Sequence, residues 1–377
     1  MEKKSCAIVY PYDLQFAPLL RHKEFIGDFE ITGVVSPFSW GLCGKDAGYA
    51  DRGPDIGIMV ESDFDLAMQK CDTVIFTESE FPCDFDRTML PKIRSAADKG
   101  KNIAVTLGLD RYKYDEVNEI CERKGVAFAY YHSIAWDIIN LSPPELERHY
   151  IHKINVPVIF VLGDGEKTRK FEVQLSIREQ FINEGYAVSQ IGSRSNCEIL
   201  GFHSIPTFLF ETRNESEKIY LFNKYVKNIE LQEKPDVIII GIPGGIMPQS
   251  SMNNTYFGMT AYEMSNAIAP DASVFCTYYA SWKPVYFEKM CEVVKYRLGL
   301  EVDCFMLSNS RIDWRSSEDS VNDPKFYYIK NEKVERMKRE LAEINPPVFN
   351  ILGREDAKNM ANLLIDKLAE YASVDHF

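Results

Sequence analysis

Apolar positions along this chain fall into two alternating rhythms. Short continuous apolar runs, the pattern of buried parallel strands, occur at 6–10, 30–35, 73–76, 102–107 and 126–130. Stretches with apolar residues at helical spacing lie between them at 16–25, 90–99 and 114–124, the last two ending beside Gly100 and Gly125, where a helix terminus favours glycine. Strands separated by helices of this kind predict a parallel sheet. A segment with prolines at both ends and a charged middle, 141–157, then interrupts the rhythm and reads as a linker. Beyond it the pattern restarts, with apolar runs at 158–162, 237–240, 274–278, 304–307 and 348–352. Helical stretches at 170–183, 260–269, 284–298, 333–344 and 356–371 accompany them. The expectation is an α/β protein of two Rossmann-like parallel-sheet domains, residues 1–145 and 146–377, dividing near 141–156.

Composition narrows the class. The 377 residues exceed what one ordinary core organises, which agrees with two domains. A net charge of −13 repels phosphate backbones and anionic lipid, so neither nucleic acid nor a membrane surface is an expected partner. The chain has no apolar run of the length a membrane span needs, and its start carries no signal-peptide pattern, so the expected location is cytoplasmic. Nine scattered cysteines without a CxxC pair fit reduced thiols rather than a disulfide framework or a metal site, and no metal cofactor is expected. The six histidines are equally dispersed; His149 and His152 are one helical turn apart on what reads as a solvated face.

The stretch that carries candidate chemistry is the run 158–171. Its apolar strand leads into Gly163, Asp164, Gly165, Glu166, Lys167, Thr168, Arg169 and Lys170, and a helix follows. Strand, glycine-bearing turn and helix start form the context in which backbone N–H groups and a lysine cradle a phosphate. Aligned on Lys170, the motif fails the phosphate-loop pattern GxxxxGK[ST]. Arg169 stands where the glycine before the lysine belongs, and Phe171 stands where the Mg²⁺-holding hydroxyl belongs. An ordinary βα turn with a solvated lysine is the competing reading. A second turn, Pro243, Gly244 and Gly245, follows the apolar strand at 237–240.

Together these segments resemble the dethiobiotin-synthetase-like branch of P-loop proteins, whose loop has a glycine seven residues before its lysine, here Gly163 to Lys170. The resemblance implies a P-loop NTPase-like second domain with a degenerate Walker A loop. It would hold a nucleotide or phosphate, with Asn309 at the strand end where that branch faces adenine. Gly241 replaces the acid that the branch carries on its second marker strand, so the implied domain keeps the fold and loses competence for hydrolysis. The wording of 165–178, with the turn at 190–196 and the glycines at 244 and 245, is also similar to clostridial peptide maturation system proteins. That likeness implies an accessory or maturation role in biosynthesis of a ribosomally made peptide, with the peptide or a peptide-modifying enzyme of the pathway as partner. A homodimer is compatible with it. The alternative is an ATP-dependent ligase that activates a carboxylate.

Lesser candidates complete the reading. Arg194, in the turn 192–196, is a candidate anion contact, and a plain helix cap is its competitor. The polar stretch 247–260 reads as a lid or docking loop, and the glycine-rich piece 41–57 as a surface or ligand-covering loop. Cys43 and Cys197 read as packed rather than nucleophilic. No Ser-His-Asp arrangement is visible, and Asp13 and His22 are too isolated in sequence to form an acid–base pair.

Overall fold

Two six-stranded sheets, every neighbouring pair of strands parallel, organise the chain. The computed structural model describes residues 4–132, 150–251, 253–315, 317 and 324–374, with backbone alone for Arg354 and 370–374. The chain divides into two units, residues 1–133 with 195–204 and residues 134–194 with 205–377. Most of the expected linker, 141–149 with His149, lies outside the described residues. Among the described residues no helix is long and apolar enough to cross a membrane.

In the first unit the strands are β1 (Ser5–Tyr10), β2 (Phe29–Val35), β3 (Val60–Glu61), β4 (Thr73–Phe76), β5 (Asn102–Val105) and β6 (Phe128–Tyr130). The helices are α1 (Ala17–Arg21), α2 (Phe64–Met68), α3 (Leu90–Asp98) and α4 (Arg111–Lys124). The helical stretch expected at 16–25 is shorter than its pattern, because α1 stops at Arg21 and a separate 3-10 turn, Lys23–Phe25, follows. The sheet order β3-β2-β1-β4-β5-β6 is the doubly wound arrangement whose strand order reverses between β1 and β4. At that crevice the chain has no glycine-rich turn. Tyr12 is buried and its hydroxyl donates to the Ala47 carbonyl at 2.8 Å. Asp13, also buried, accepts from the backbone amides of Gln15 at 2.8 Å and Glu80 at 2.6 Å. The carboxylate thus takes amides that a pyrophosphate would need.

Burial pushes the Asp13 carboxyl up to about 6, against the pull of its backbone amide donors. The fold therefore favours the protonated form. The stability that this contributes is complete below the ordinary carboxylate range and is lost as pH rises through about 6. A shift of this size corresponds to roughly 2–3 kcal/mol. Thermal melting of the full chain between pH 4 and 7 should show this loss, and Asp13→Asn should flatten it; an unchanged slope in the variant would assign the effect to another group.

In the second unit the strands are β7 (Val158–Gly163), β8 (Val188–Ile191), β9 (Val237–Gly241), β10 (Ala272–Thr277), β11 (Cys304–Leu307) and β14 (Val348–Phe349), ordered β14-β11-β10-β7-β9-β8. A two-stranded antiparallel ribbon, β12 (Ser310–Ile312) with β13 (Phe326–Tyr328), follows β11. The helices are α5 (Lys170–Asn183), α6 (Glu215–Glu233), α7 (Met259–Ala267), α8 (Pro284–Leu298), α9 (Asn331–Glu340) and α10 (Arg354–Val374). Residues of β7 alternate between two cores. Val158, Phe160 and Leu162 pack on one face of the sheet, Ile159 and Val161 on the other. Coverage of both faces explains why these strands read as unbroken apolar runs.

Helix α6 is absent from the sequence reading, because its inward face carries buried Asn223, Asn228 and Glu230 among the apolar residues. Two of these pin the segment that enters the unit: Asn223 accepts from His152 N at 2.8 Å, and Glu230 from Asn155 N at 2.7 Å. The strand expected at 348–352 is shorter than its apolar run, since β14 ends at Phe349 and Asn350 turns the chain into α10.

Candidate functional site

The carboxyl ends of β7, β9 and β10 converge on the loop 163–170. Two glycines allow that convergence. A Cβ at Gly163 would lie 2.2 Å from the Cys276 carbonyl oxygen on β10, and one at Gly245 would lie 2.2 Å from the Asp164 carbonyl oxygen. The turn after β9 therefore rests directly on the loop backbone. Arg169 takes the left-handed conformation, φ +65°, that a phosphate loop ordinarily gives to glycine. Its guanidinium is paid for locally: Nε donates to Asn309 Oδ1 at 2.7 Å, and Nη1 to Glu172 Oε1 at 2.8 Å. The loop thus keeps the turn despite the missing glycine.

Helix α5 starts at Lys170 with no side-chain cap, leaving its first N–H groups directed at the loop. Lys170 is buried and turned inward. Its Nζ donates to the Gly165 carbonyl at 2.9 Å and to the Gly244 carbonyl. Burial lowers its pKa, and Glu166, Cys276 and Asp164 oppose that shift. The ammonium therefore bridges the two glycine-bearing turns. Thr168 is buried, and its hydroxyl donates back to the Gly165 carbonyl at 3.0 Å. Glu166 reaches the other turn and accepts from Gly244 N.

Asp164 is enclosed by groups that the sequence did not single out. Its carboxylate accepts from the Thr277 hydroxyl, from the Tyr286 hydroxyl at 2.8 Å and from Tyr278 N at 3.3 Å. Burial raises its pKa, while these donors and Lys170 lower it. Gln249, in the expected lid, donates to the Asp164 carbonyl at 2.8 Å and ties that loop to the site. Nothing in the motif pointed to Thr277, Tyr286 or Gln249, which lie far along the chain and share only the carboxyl edge of one sheet.

The positions that hold Mg²⁺ in a working phosphate loop are filled with packing. Phe171 is buried, and the Arg194 guanidinium carbon lies 4.3 Å from its ring centroid. Gln174 crowds Gly241, where a Cβ would fall 2.2 Å from the Gln174 amide nitrogen. The same amide donates to Ser193 Oγ at 3.1 Å, fixing the turn that carries Arg194 beside α5. These residues do not fit a loop-held magnesium ion. Of the expected site residues, the structure gathers Gly163 to Lys170, Gly244 and Gly245 at the loop, and Arg194, in the turn after β8, against Phe171 of α5. Asn309 is buried, accepting from Arg169 and donating to the Ile329 carbonyl at 3.2 Å, so it is spent on structure rather than turned to a base. Cys197 is buried, and the Cys43 thiol donates to the Ser36 carbonyl at 3.2 Å.

A cavity of about 170 Å³ adjoins the loop, lined by Glu166, Lys167, Gly244, Tyr256, Tyr278 and Phe326 among others. Lys167 Nζ lies 4.9 Å from the Phe326 ring centroid.

No protein-family model matches the chain, and no curated protein matches it. Among solved structures, a DUF1611 family protein from Anabaena variabilis is similar over 97% of this chain and 100% of its own, with a TM-score of 0.61 at 11% identity. That likeness is one of fold. A homoserine dehydrogenase from S. aureus gives a TM-score of 0.27 at 13% identity, over 38% of this chain and 36% of its own. A GTPase from Pyrococcus abyssi gives 0.29 at 12% identity, over 56% of this chain and 97% of its own.

Proposed function

We propose that the second unit binds a phosphate-bearing ligand, a nucleotide or a simpler phosphate, in the loop 163–170 without help from a metal and without hydrolysing it. The observation that carries this reading is Lys170: a buried ammonium held between two glycine-bearing turns at an uncapped helix start. A phosphate entering the loop would replace the carbonyls as the partner of the ammonium and take the N–H groups of α5. Arg194, stacked on Phe171, supplies a fixed positive charge on the same helix end. The role that suits such a site is that of an accessory protein, its ligand stabilising one state of the chain for a partner. Biosynthesis of a ribosomally made peptide, with the peptide or its modifying enzyme as partner, is the setting that the loop wording supports.

The carboxylate-activating ligase reading needs magnesium to be positioned on the transferring phosphate. Phe171 and the Gln174-filled space at Gly241 oppose it. The test is phosphate release from ATP and Mg²⁺ by purified wild type and Lys170→Ala. Background release from both is expected. Robust turnover by the wild type, lost in Lys170→Ala, would hand the site to the ligase.

A further inference from the structure

Resting on the phosphate reading, we propose that the cavity between Tyr256, Tyr278 and Phe326 receives the planar ring of the ligand, which makes that ligand a ring-bearing phosphate ester such as a nucleotide. The slot at Asn309 is closed to a base, because Arg169 and the Ile329 carbonyl occupy both ends of the amide. The cavity beside Gly244 is open to one. Three aromatic side chains line it, and the Tyr278 and Phe326 ring centroids lie 5.7 Å apart with planes tilted by 32°. Glu166, Lys167 and Gly244 line it too, so it is continuous with the phosphate loop. A ring seated there would stack on an aromatic face while its phosphate stayed at Lys170. Lys167, above the Phe326 face, adds a cation between the two halves of the ligand.

The backbone beside the cavity is strained in a way that serves this arrangement. Thr255, Tyr256 and Phe257 hold φ of +46°, +52° and +57°, three successive non-glycine residues in the left-handed region. Such residues persist only where their surroundings over-determine them. Here the Thr255 hydroxyl donates to the Met247 carbonyl at 2.6 Å, Asn254 Oδ1 accepts from Tyr256 N at 3.0 Å, and Arg297 donates to the Phe257 carbonyl at 2.6 Å. The Tyr256 ring lines the cavity and remains 70% exposed.

The experiment compares ADP, GDP and inorganic pyrophosphate by calorimetry on wild type, Tyr256→Ala and Phe326→Leu. Base–aromatic stacking predicts that the nucleotides bind the wild type about tenfold or more tighter than pyrophosphate, and that each variant loses most of that advantage. Pyrophosphate affinity should be unchanged in Tyr256→Ala and should fall less than nucleotide affinity in Phe326→Leu, whose ring lies under Lys167. Tyr256→Ala alters an exposed side chain, so its fold is safe to compare; Phe326→Leu keeps apolar volume and removes the aromatic face. Nucleotides binding no tighter than pyrophosphate, or an advantage that survives both substitutions, would overturn the ring site while leaving the phosphate loop intact. Failure of pyrophosphate itself to bind the wild type would instead remove the phosphate reading, and the ring site with it.

Discussion

Replacing Lys170 with methionine is expected to abolish pyrophosphate binding, a loss of at least about a hundredfold in affinity. The methionine keeps the length of the side chain and removes the charge that the loop encloses. It also leaves the Gly165 and Gly244 carbonyls without their shared donor. The Gly165 carbonyl keeps the Thr168 hydroxyl, so only the Gly244 carbonyl is left without a donor, a cost of at most about 1–3 kcal/mol that is partly offset because the ammonium no longer has to be buried. The variant should therefore fold with modestly lower stability while calorimetry detects no binding. The wild type carries a matching pH signature. Burial lowers the Lys170 pKa, so binding should weaken with rising pH earlier than an exposed lysine would allow, and pyrophosphate should bind with proton uptake in that range. Undiminished binding by Lys170→Met would place the anion elsewhere.

Gly163→Ala is expected to destabilise the second unit by about 3 kcal/mol or more, visible as a lowered melting transition. The new methyl would meet the Cys276 carbonyl oxygen at 2.2 Å and its carbon at 3.1 Å. Both belong to the backbone of the neighbouring parallel strand, paired in register with Gly163, so neither retreats without opening the sheet. The same opening would shift Asp164 and the loop, and pyrophosphate binding should fall together with stability. A neutral result would show that β7 and β10 tolerate a wider spacing at the site.

Much of this architecture is legible in the sequence because fully buried parallel strands leave unbroken apolar runs. Val237 to Ile240 and Cys304 to Leu307 are buried throughout, and their surroundings dictate their composition. Helix α6 escapes that logic, since Asn223 and Glu230 face inward to bind the entering backbone and interrupt the apolar stripe. The pairing of β12 with β13 is hidden for another reason: it joins residues on either side of a long polar segment. Residues 195–204 group with the first unit although they follow a strand of the second, and no change of composition marks that excursion.

The site divides in the same way. The loop itself is local, and its strand, turn and helix context is written in consecutive residues. The identity of Arg169 argues against a phosphate-loop turn only if glycine alone can take a positive φ there. Asn309 and Glu172 hold the arginine in place and remove that objection. The partners of Asp164 and the aromatic walls of the cavity come from segments distant in sequence. Thr277, Tyr278 and Phe326 lie at strand ends, Tyr286 in α8 and Tyr256 in a 3-10 turn, and nothing in these residue types marks a site until the fold brings them together.

The central claim is a phosphate site that works without a metal, and titration of pyrophosphate into the wild type, once with excess Mg²⁺ and once with EDTA, tests it most directly. With Phe171 and Gln174 filling the metal positions, the two affinities should agree within about fivefold, allowing for magnesium's own complex with pyrophosphate. Binding that requires Mg²⁺, with little or none in EDTA, would contradict the account.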